Sequence, residues 1–245
     1  MIERLLPLAA SEHAAEFDRV LTSVHVHMII QAVAWGAFLL FCLIRFRRGR
    51  HPQATYAGVR PLIPALAIGA VIVGDVVLLA TAALPAWISR LTPPLTTPLE
   101  VHVVAEQFAW NIHYPGPDAA FGPTSAALIS AANPLGIDRT DPKARDDIGI
   151  LNVLTLPVGR PVVVHLTSRD VVHSFTLNEM RIKQDATPGL TVRTWFTPTL
   201  TGTWEIGCSQ LCGLGHYRMR GEYSVLTEDA WARWLQAEMA LLSQP

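Results

Sequence analysis

Apolar residues run without a single Asp, Glu, Lys or Arg over residues 20–44, and again over 62–84 with Asp75 as the lone charge. Each run can cross a hydrocarbon core of roughly 30 Å at about 1.5 Å per residue, which predicts two transmembrane helices. Beyond Leu84 the pattern changes. Pro85 and then Thr92-Pro-Pro-Leu-Thr-Thr-Pro98 read as a stiff exit linker, because proline blocks helix continuation. Short β-branched or aromatic runs bounded by Gly, Pro and Asx follow at residues 101–105, 150–156, 161–166, 191–196, 202–206 and 222–226. Their spacing predicts an antiparallel sandwich or barrel. Residues 115–147, with Asp138, Asp141, Asp146 and Asp147, break the strand pattern as a surface excursion. Residues 228–242 place Trp231, Trp234, Leu235, Met239 and Leu242 at near-helical spacing, which predicts an amphipathic helix packed on the barrel or on another subunit.

Composition agrees with an anchored protein. Of 245 residues, 50% are hydrophobic and 16% charged, too apolar for an average soluble domain. The connection between the two spans carries Arg45, Arg47, Arg48, Arg50 and Arg60, and such a basic loop stays on the cytoplasmic side. Both termini and the β region then lie outside. A cleavable signal peptide is a poorer reading of the first span, since the apolar run is too long for an h-region and leads straight into arginines. The chain divides at about residue 91: residues 1–91 hold the N-terminal segment and two helices, and residues 92–245 hold the outer β domain. Residues 1–97 carry 8 basic and 5 acidic side chains, and residues 98–245 carry 11 and 15. The mildly acidic outer domain suits a basic redox partner, and no basic stripe points to nucleic acid.

The chemistry is concentrated in Cys208-Ser-Gln210-Leu-Cys212-Gly-Leu-Gly-His216-Tyr-Arg-Met219. Two thiols, an imidazole and a thioether within twelve residues form a soft donor set, and a Met beside Cys and His favours copper over zinc. One Cys suffices for a mononuclear copper site, so a second suggests two metals sharing two bridging thiolates. A disulfide is the default for an extracytoplasmic Cys pair, but His216, Met219 and an upstream His173 favour metal. Cys42 lies inside the first span and reads as a small packing residue. His13, His25, His27, His102, His113 and His165 match no ligand pattern.

The Cys-x3-Cys-x3-His-x2-Met run, with His173 in Ser168-Arg-Asp-Val-Val-His173-Ser-Phe, resembles the CuA-containing subunit II of haem-copper cytochrome c oxidases. The stretches Lys183-Gln-Asp-Ala-Thr-Pro-Gly189 and Trp195-Phe-Thr resemble the family as well. The resemblance implies a membrane-anchored all-β protein, a two-helix transmembrane hairpin followed by a cupredoxin-like Greek-key β-barrel. It implies two copper ions, one completed by His173 and Met219 and the other by His216 and the Gln210 carbonyl, with Cys208 and Cys212 bridging. The implied partners are the catalytic subunit I and other oxidase subunits, cytochrome c or an equivalent donor, and the lipid of a bacterial-type plasma (inner) membrane. Many relatives place Glu at the position of Gln210 to reach a magnesium ion at the subunit I interface, and the neutral amide is a poorer ligand for a hard dication. The aromatic stretch for electron input resembles Glu106-Gln-Phe108-Ala-Trp110, with Phe108 where the family's Trp usually stands and Trp110 two residues on. A copper chaperone or thiol oxidoreductase, or the CuA domain of a different reductase, is the competing reading. A chaperone of that kind would show a thioredoxin-like βαβ pattern and a distant downstream His.

Overall fold

The computed structural model describes residues 6–50, 53, 56, 58, 60–91 and 96–242. Residues 92–95 of the expected linker lie outside the described residues. Contacts divide the chain into a helical unit, Glu16–Leu91, and a β unit that takes in Thr92–Pro245 together with Leu6–Ala15.

In the helical unit, α1 spans Ala14–Arg45 and α2 spans Leu62–Leu78; a π-helical turn, Leu79–Ala83, then leads into α3, Leu84–Ile88. The second helix therefore runs past Pro85, contrary to the expectation that proline would end it. The wide turn explains this, since the Leu84 N–H reaches back five residues to the Leu79 carbonyl and the register that proline would break is already shifted. Both helices are long and apolar enough to cross a membrane. Asp75 is partnered within the hairpin. The Nε2 of His27 on α1 lies 2.8 Å from its Oδ1, and the Gln31 amide lies 2.7 Å from the same nitrogen. A bare carboxylate at a helix centre costs about 2.5–3.5 kcal/mol, and an interhelical hydrogen bond returns on the order of 1 kcal/mol.

The β unit is a sandwich of two five-stranded sheets. One has the order β3-β2-β1-β5-β8 and the other β4-β10-β9-β6-β7. The strands are β1 Leu99–Glu106, β2 Ala109–Tyr114, β3 Ile148–Leu151, β4 Val153–Pro157, β5 Val162–Ser168, β6 His173–Leu177, β7 Ile182–Ala186, β8 Val192–Phe196, β9 Gly202–Cys208 and β10 Arg220–Leu226. The β1/β5 and β4/β10 pairs are parallel and the remaining pairs antiparallel, so the sheets are mixed rather than purely antiparallel. Inward residues of both sheets interdigitate in one core, among them Val101, Val103, Ile112, Leu154, Leu166, Phe175, Phe196 and Ile206. This is the cupredoxin-like arrangement.

The run expected as one strand over 150–156 is two strands in different sheets. Asn152 breaks it with φ +60°, a left-handed conformation that Asn tolerates better than most residues. Its backbone N–H donates to the Trp110 carbonyl at 2.7 Å, and its side-chain Oδ1 accepts from the Trp110 N–H at 2.8 Å. The crossing chain is thus pinned at both faces. Further stitching comes from Tyr114, whose hydroxyl donates to the Thr155 carbonyl and accepts from its N–H.

The N-terminal segment before α1 packs on the β unit. Ala10 and Glu12 donate to the carbonyls of Glu179 and Thr197, Thr199 donates back to Ala10, and the Ser11 hydroxyl bonds the Met180 carbonyl. At the other end α4, Glu228–Leu242, covers the core as its pattern predicts. Its Trp231 and Trp234 lie 6.0 Å and 5.2 Å from the Tyr114 ring.

The excursion over 115–147 is anchored on the outer face of the first sheet, where His113, His102 and His165 occupy one cross-strand row. Phe121 stacks on His102 at 3.7 Å, and Asp147 accepts from His113 Nε2 at 2.8 Å. His165 is held by Glu100. Burial, followed by the neighbouring His165 and His113, pushes His102 down to about 4 from its ordinary value near 6.5. The folded state therefore binds fewer protons at this group than the unfolded chain does, so its contribution to stability is present above pH 6.5 and is lost as pH falls towards 4. Thermal unfolding of the full chain in detergent should show a lower midpoint at pH 5 than at pH 7. His102→Gln, which keeps a planar side chain but cannot titrate, should narrow that difference; an unchanged difference would exclude His102 as its source.

Candidate metal centre

The centre is built at one end of the second sheet, where three short segments meet. His173 opens β6, Cys208 closes β9, and the loop to β10 carries Gln210, Cys212, His216 and Met219. Antiparallel pairing of β6 with β9 sets Phe175 opposite Cys208, which holds His173 and the first thiol on adjacent strands. All the side chains singled out from the 208–219 run, and His173, come together. His173 Nδ1 lies 3.1 Å from the Met219 sulfur, Cys208 and Cys212 sulfurs are 3.9 Å apart, and Cys212 Sγ is 3.5 Å from His216 Nδ1 and 3.7 Å from Met219 Sδ. The backbone carbonyl of Gln210 turns to Cys208 Sγ at 3.3 Å. The donor atoms of His173, Cys208 and Cys212 all fall within 4.8 Å of one another.

Cys212, His173 and Met219 are buried while Cys208 and His216 are half-buried. The Cys212 thiol is pushed up to about 11, first by burial and then by the adjacent Cys208. Thiolate is the metal-binding form, so loading the site must displace protons. The two sulfurs are free cysteines rather than a disulfide. Two thiols, two imidazoles, a thioether and a carbonyl aimed at one small volume fit copper, whereas an oxygen-preferring dication finds no carboxylate at Gln210.

Two residues not singled out from the sequence, Asp170 and Gln107, hold the candidate ligands in place. Asp170 Oδ1 accepts from His173 Nε2 at 2.8 Å, which leaves Nδ1 with its lone pair facing the sulfurs. Burial alone would raise the Asp170 carboxyl, but hydrogen bonds from His173 and from the backbone N–H groups of Gln107 and Val171 outweigh it and hold the group below the usual range. Gln107 also donates its side-chain amide to the Cys212 carbonyl at 2.6 Å. The β1–β2 turn is thereby tied to both ends of the centre. The signal for Asp170 was its place three residues before His173, which a search for metal donors alone passes over.

Phe108 and Trp110 do not share a surface. Trp110 is fully buried, 6.2 Å from the His173 ring and 5.3 Å from Phe175. Phe108 sits in the turn before β2, half-buried, and packs on the metal loop. A Cβ at Gly215 would come within 2.4 Å of the Phe108 ring, so only glycine permits this contact. Two residues apart on one strand would share a face, but Phe108 precedes β2 and is half-buried, whereas Trp110 lies within the strand and is fully buried. Leu211, Leu214 and Tyr217 stand exposed on the same loop.

A β-sandwich carrying a soft, preformed donor set and joined to two membrane-spanning helices defines a membrane-anchored, cupredoxin-like redox protein. Residues 99–222 match the family model described as cytochrome c oxidase subunit II, periplasmic domain. The chain is 36% identical over 203 residues to an alternative cytochrome c oxidase subunit 2 of Bradyrhizobium diazoefficiens, covering 82% of this chain and 72% of that one. It is 28% identical over 211 residues to cytochrome c oxidase subunit 2 of Cereibacter sphaeroides, covering 81% and 68%. The solved periplasmic domain of cytochrome oxidase subunit II from Bradyrhizobium japonicum overlaps 62% of this chain and all of its own, at 24% identity and a TM-score of 0.46. The chain belongs to the cytochrome c oxidase subunit II family.

Proposed function

We infer that this chain is the electron-accepting subunit of a haem-copper terminal oxidase, taking electrons singly from cytochrome c and passing them to haem in the catalytic subunit, where oxygen is reduced to water. The observation that carries the reading is the convergence of His173, Cys208, Cys212, His216 and Met219 on one small volume. In this reading His173, Cys208, Cys212, His216, Met219 and the Gln210 carbonyl would together hold a pair of copper ions, with the two thiolates as the donors common to both. Bound there, the copper pair supplies reversible one-electron storage. The protein's part is rigidity: strands β6 and β9 fix two ligands, and Asp170 and Gln107 lock His173 and the Cys212 backbone. Geometry that scarcely changes between redox states lowers the barrier to gaining and losing an electron.

The same reading places the β domain and both termini on the outer side of a bacterial-type plasma membrane, with the arginine-rich connection inside. A chaperone or thiol oxidoreductase fits less well, since no α-helix lies between β1 and β10 among the described residues and both imidazoles already stand beside the thiols. Magnesium at the catalytic-subunit interface finds no carboxylate from this chain at Gln210. Copper titration of the full chain in detergent should saturate at two ions per chain and give the paramagnetic resonance of a mixed-valence pair. Saturation at one ion, or a spectrum of a single isolated copper, would overturn the two-metal reading.

A further inference from the structure

The outer face of the first sheet, remote from the sandwich core, holds an assembly of its own. Cross-strand pairing sets His113 on β2, His102 on β1, His165 on β5 and Arg193 on β8 in one continuous row. The His102 ring lies 5.8 Å from that of His113 and 4.9 Å from that of His165, so the middle imidazole has a titratable neighbour on each side. The segment 115–147 closes over this row. Its Phe121 ring stacks on His102 at 3.7 Å with 15° between the planes, and meets His113 edge-on at 4.9 Å. One carboxylate oxygen of Asp147 accepts from His113 Nε2 at 2.8 Å and from the Gly122 N–H at 3.0 Å, which joins the sheet to both ends of the segment. A Cβ at Gly122 would stand 2.3 Å from Ala144 Cβ, so the two ends close this tightly only through glycine.

The charged groups around His102 leave it no partner for a proton. Asp147 is engaged by His113 and Glu100 by His165. Arg139 donates to the Asp147 carbonyl at 2.6 Å, and Arg193 continues the row beyond His165. A cationic His102 would lose hydration beneath Phe121 and be repelled along the row, and moving Phe121 away relieves both. The main core includes no residue of 115–147, whose Leu135, Ile137 and Ala144 form a separate small cluster with Val104. The cover can therefore lift without opening the sandwich. We propose that the row is a pH-operated latch, in which protonation of His102 releases Phe121 and lets the segment 115–147 leave the outer face while both sheets stay folded. The release reaches the metal end of the domain, because Arg169, the neighbour of Asp170, holds the Pro134 carbonyl of the same segment.

Hydrogen exchange of the full chain in detergent, expressed as protection relative to the intrinsic rate at each pH, reads the latch segment by segment. His102 lies at about 4 when covered, against an ordinary 6.5, so the closed state binds fewer protons; closure is favoured above pH 6.5 and weakens as pH falls towards 4. From pH 7 to pH 5 this linkage amounts to at most about twentyfold. Protection of the Gly122, Ser125 and Asp138 amides, each hydrogen-bonded within the segment, should fall by about tenfold over that range, and that of β9 and β10 by less than about twofold. His102→Phe, which keeps the stack and cannot titrate, should retain at pH 5 the protection it has at pH 7. His102→Gln should be equally indifferent to pH, from a lower starting level. Full protection of the segment at pH 5 in the parent, an equal loss across β9 and β10, or a loss that persists in both His102 variants would each overturn the proposal.

Discussion

Replacing either bridging candidate, Cys208→Ser or Cys212→Ser, is expected to abolish the two-copper signal altogether. A hydroxyl is a hard, weakly acidic donor and cannot join two soft ions as a thiolate does. The two variants should differ in what remains. Cys212 is buried and touches His216 and Met219, so its loss removes the donor nearest to both. Cys208 is half-buried and contacts the Gln210 carbonyl and the other sulfur, so Cys208→Ser should retain one copper bound by Cys212, His173 and Met219. Met219→Leu is expected to be milder, because thioether is the weak ligand, and to show as a shifted potential at unchanged stoichiometry. Stoichiometry by metal analysis and paramagnetic resonance checks all three. A mixed-valence spectrum surviving in either serine variant would remove that sulfur from the bridge.

The candidate ligands were legible because they carry rare chemistry at short spacing, and the loop from Cys208 to Met219 holds most of the candidate centre by itself. The membrane helices were legible for a different reason, the plain length of the apolar runs. Three strands were harder to see. β6 reads His-Ser-Phe-Thr-Leu and is buried throughout, with Phe175 and Leu177 in the core and Ser174 and Thr176 buried on the opposite face of the strand. β7 reads Ile-Lys-Gln-Asp-Ala, whose charged middle conceals two buried ends. β2 contains Asn111 and His113, both buried, the latter compensated by Asp147 from an excursion that is remote in sequence. His113 and Thr176 are tolerated because the fold supplies their hydrogen-bond partners, Asp147 and Ser209, which local pattern cannot report. Asp170 and Gln107 belong to the same class. Their roles depend on hydrogen bonds that join three loops, and only the fold brings these together. The division of 150–156 at Asn152 also needed the second sheet to be visible.

The two aromatic residues before the metal loop are expected to give opposite results when changed. Phe108 packs over Gly213 and Gly215, and the Arg218 guanidinium stands 6.0 Å from its ring; we propose it as the aromatic group through which a docked donor would meet the centre. Phe108→Ala should leave the copper spectrum and the unfolding midpoint close to the parent while slowing reduction by cytochrome c at least tenfold, on the order of 1.4 kcal/mol in barrier. Phe108→Trp should preserve or raise that rate, if the ring can be seated over the two glycines. Trp110 is different in kind. It is fully buried against His173 and Phe175, with its Nε1 lacking a hydrogen-bond partner, so it acts by holding the floor of the centre. Trp110→Ala should cost about 3–5 kcal/mol of stability by opening a cavity under a ligand, and copper should be lost with it. Trp110→Phe, which keeps an aromatic floor and removes the unsatisfied N–H, should retain copper and the parent rate of reduction. Stopped-flow reduction beside thermal unfolding separates the two roles. A slow but fully metallated Trp110→Phe, together with an unaffected Phe108→Ala, would transfer electron input to the buried indole and away from the surface ring.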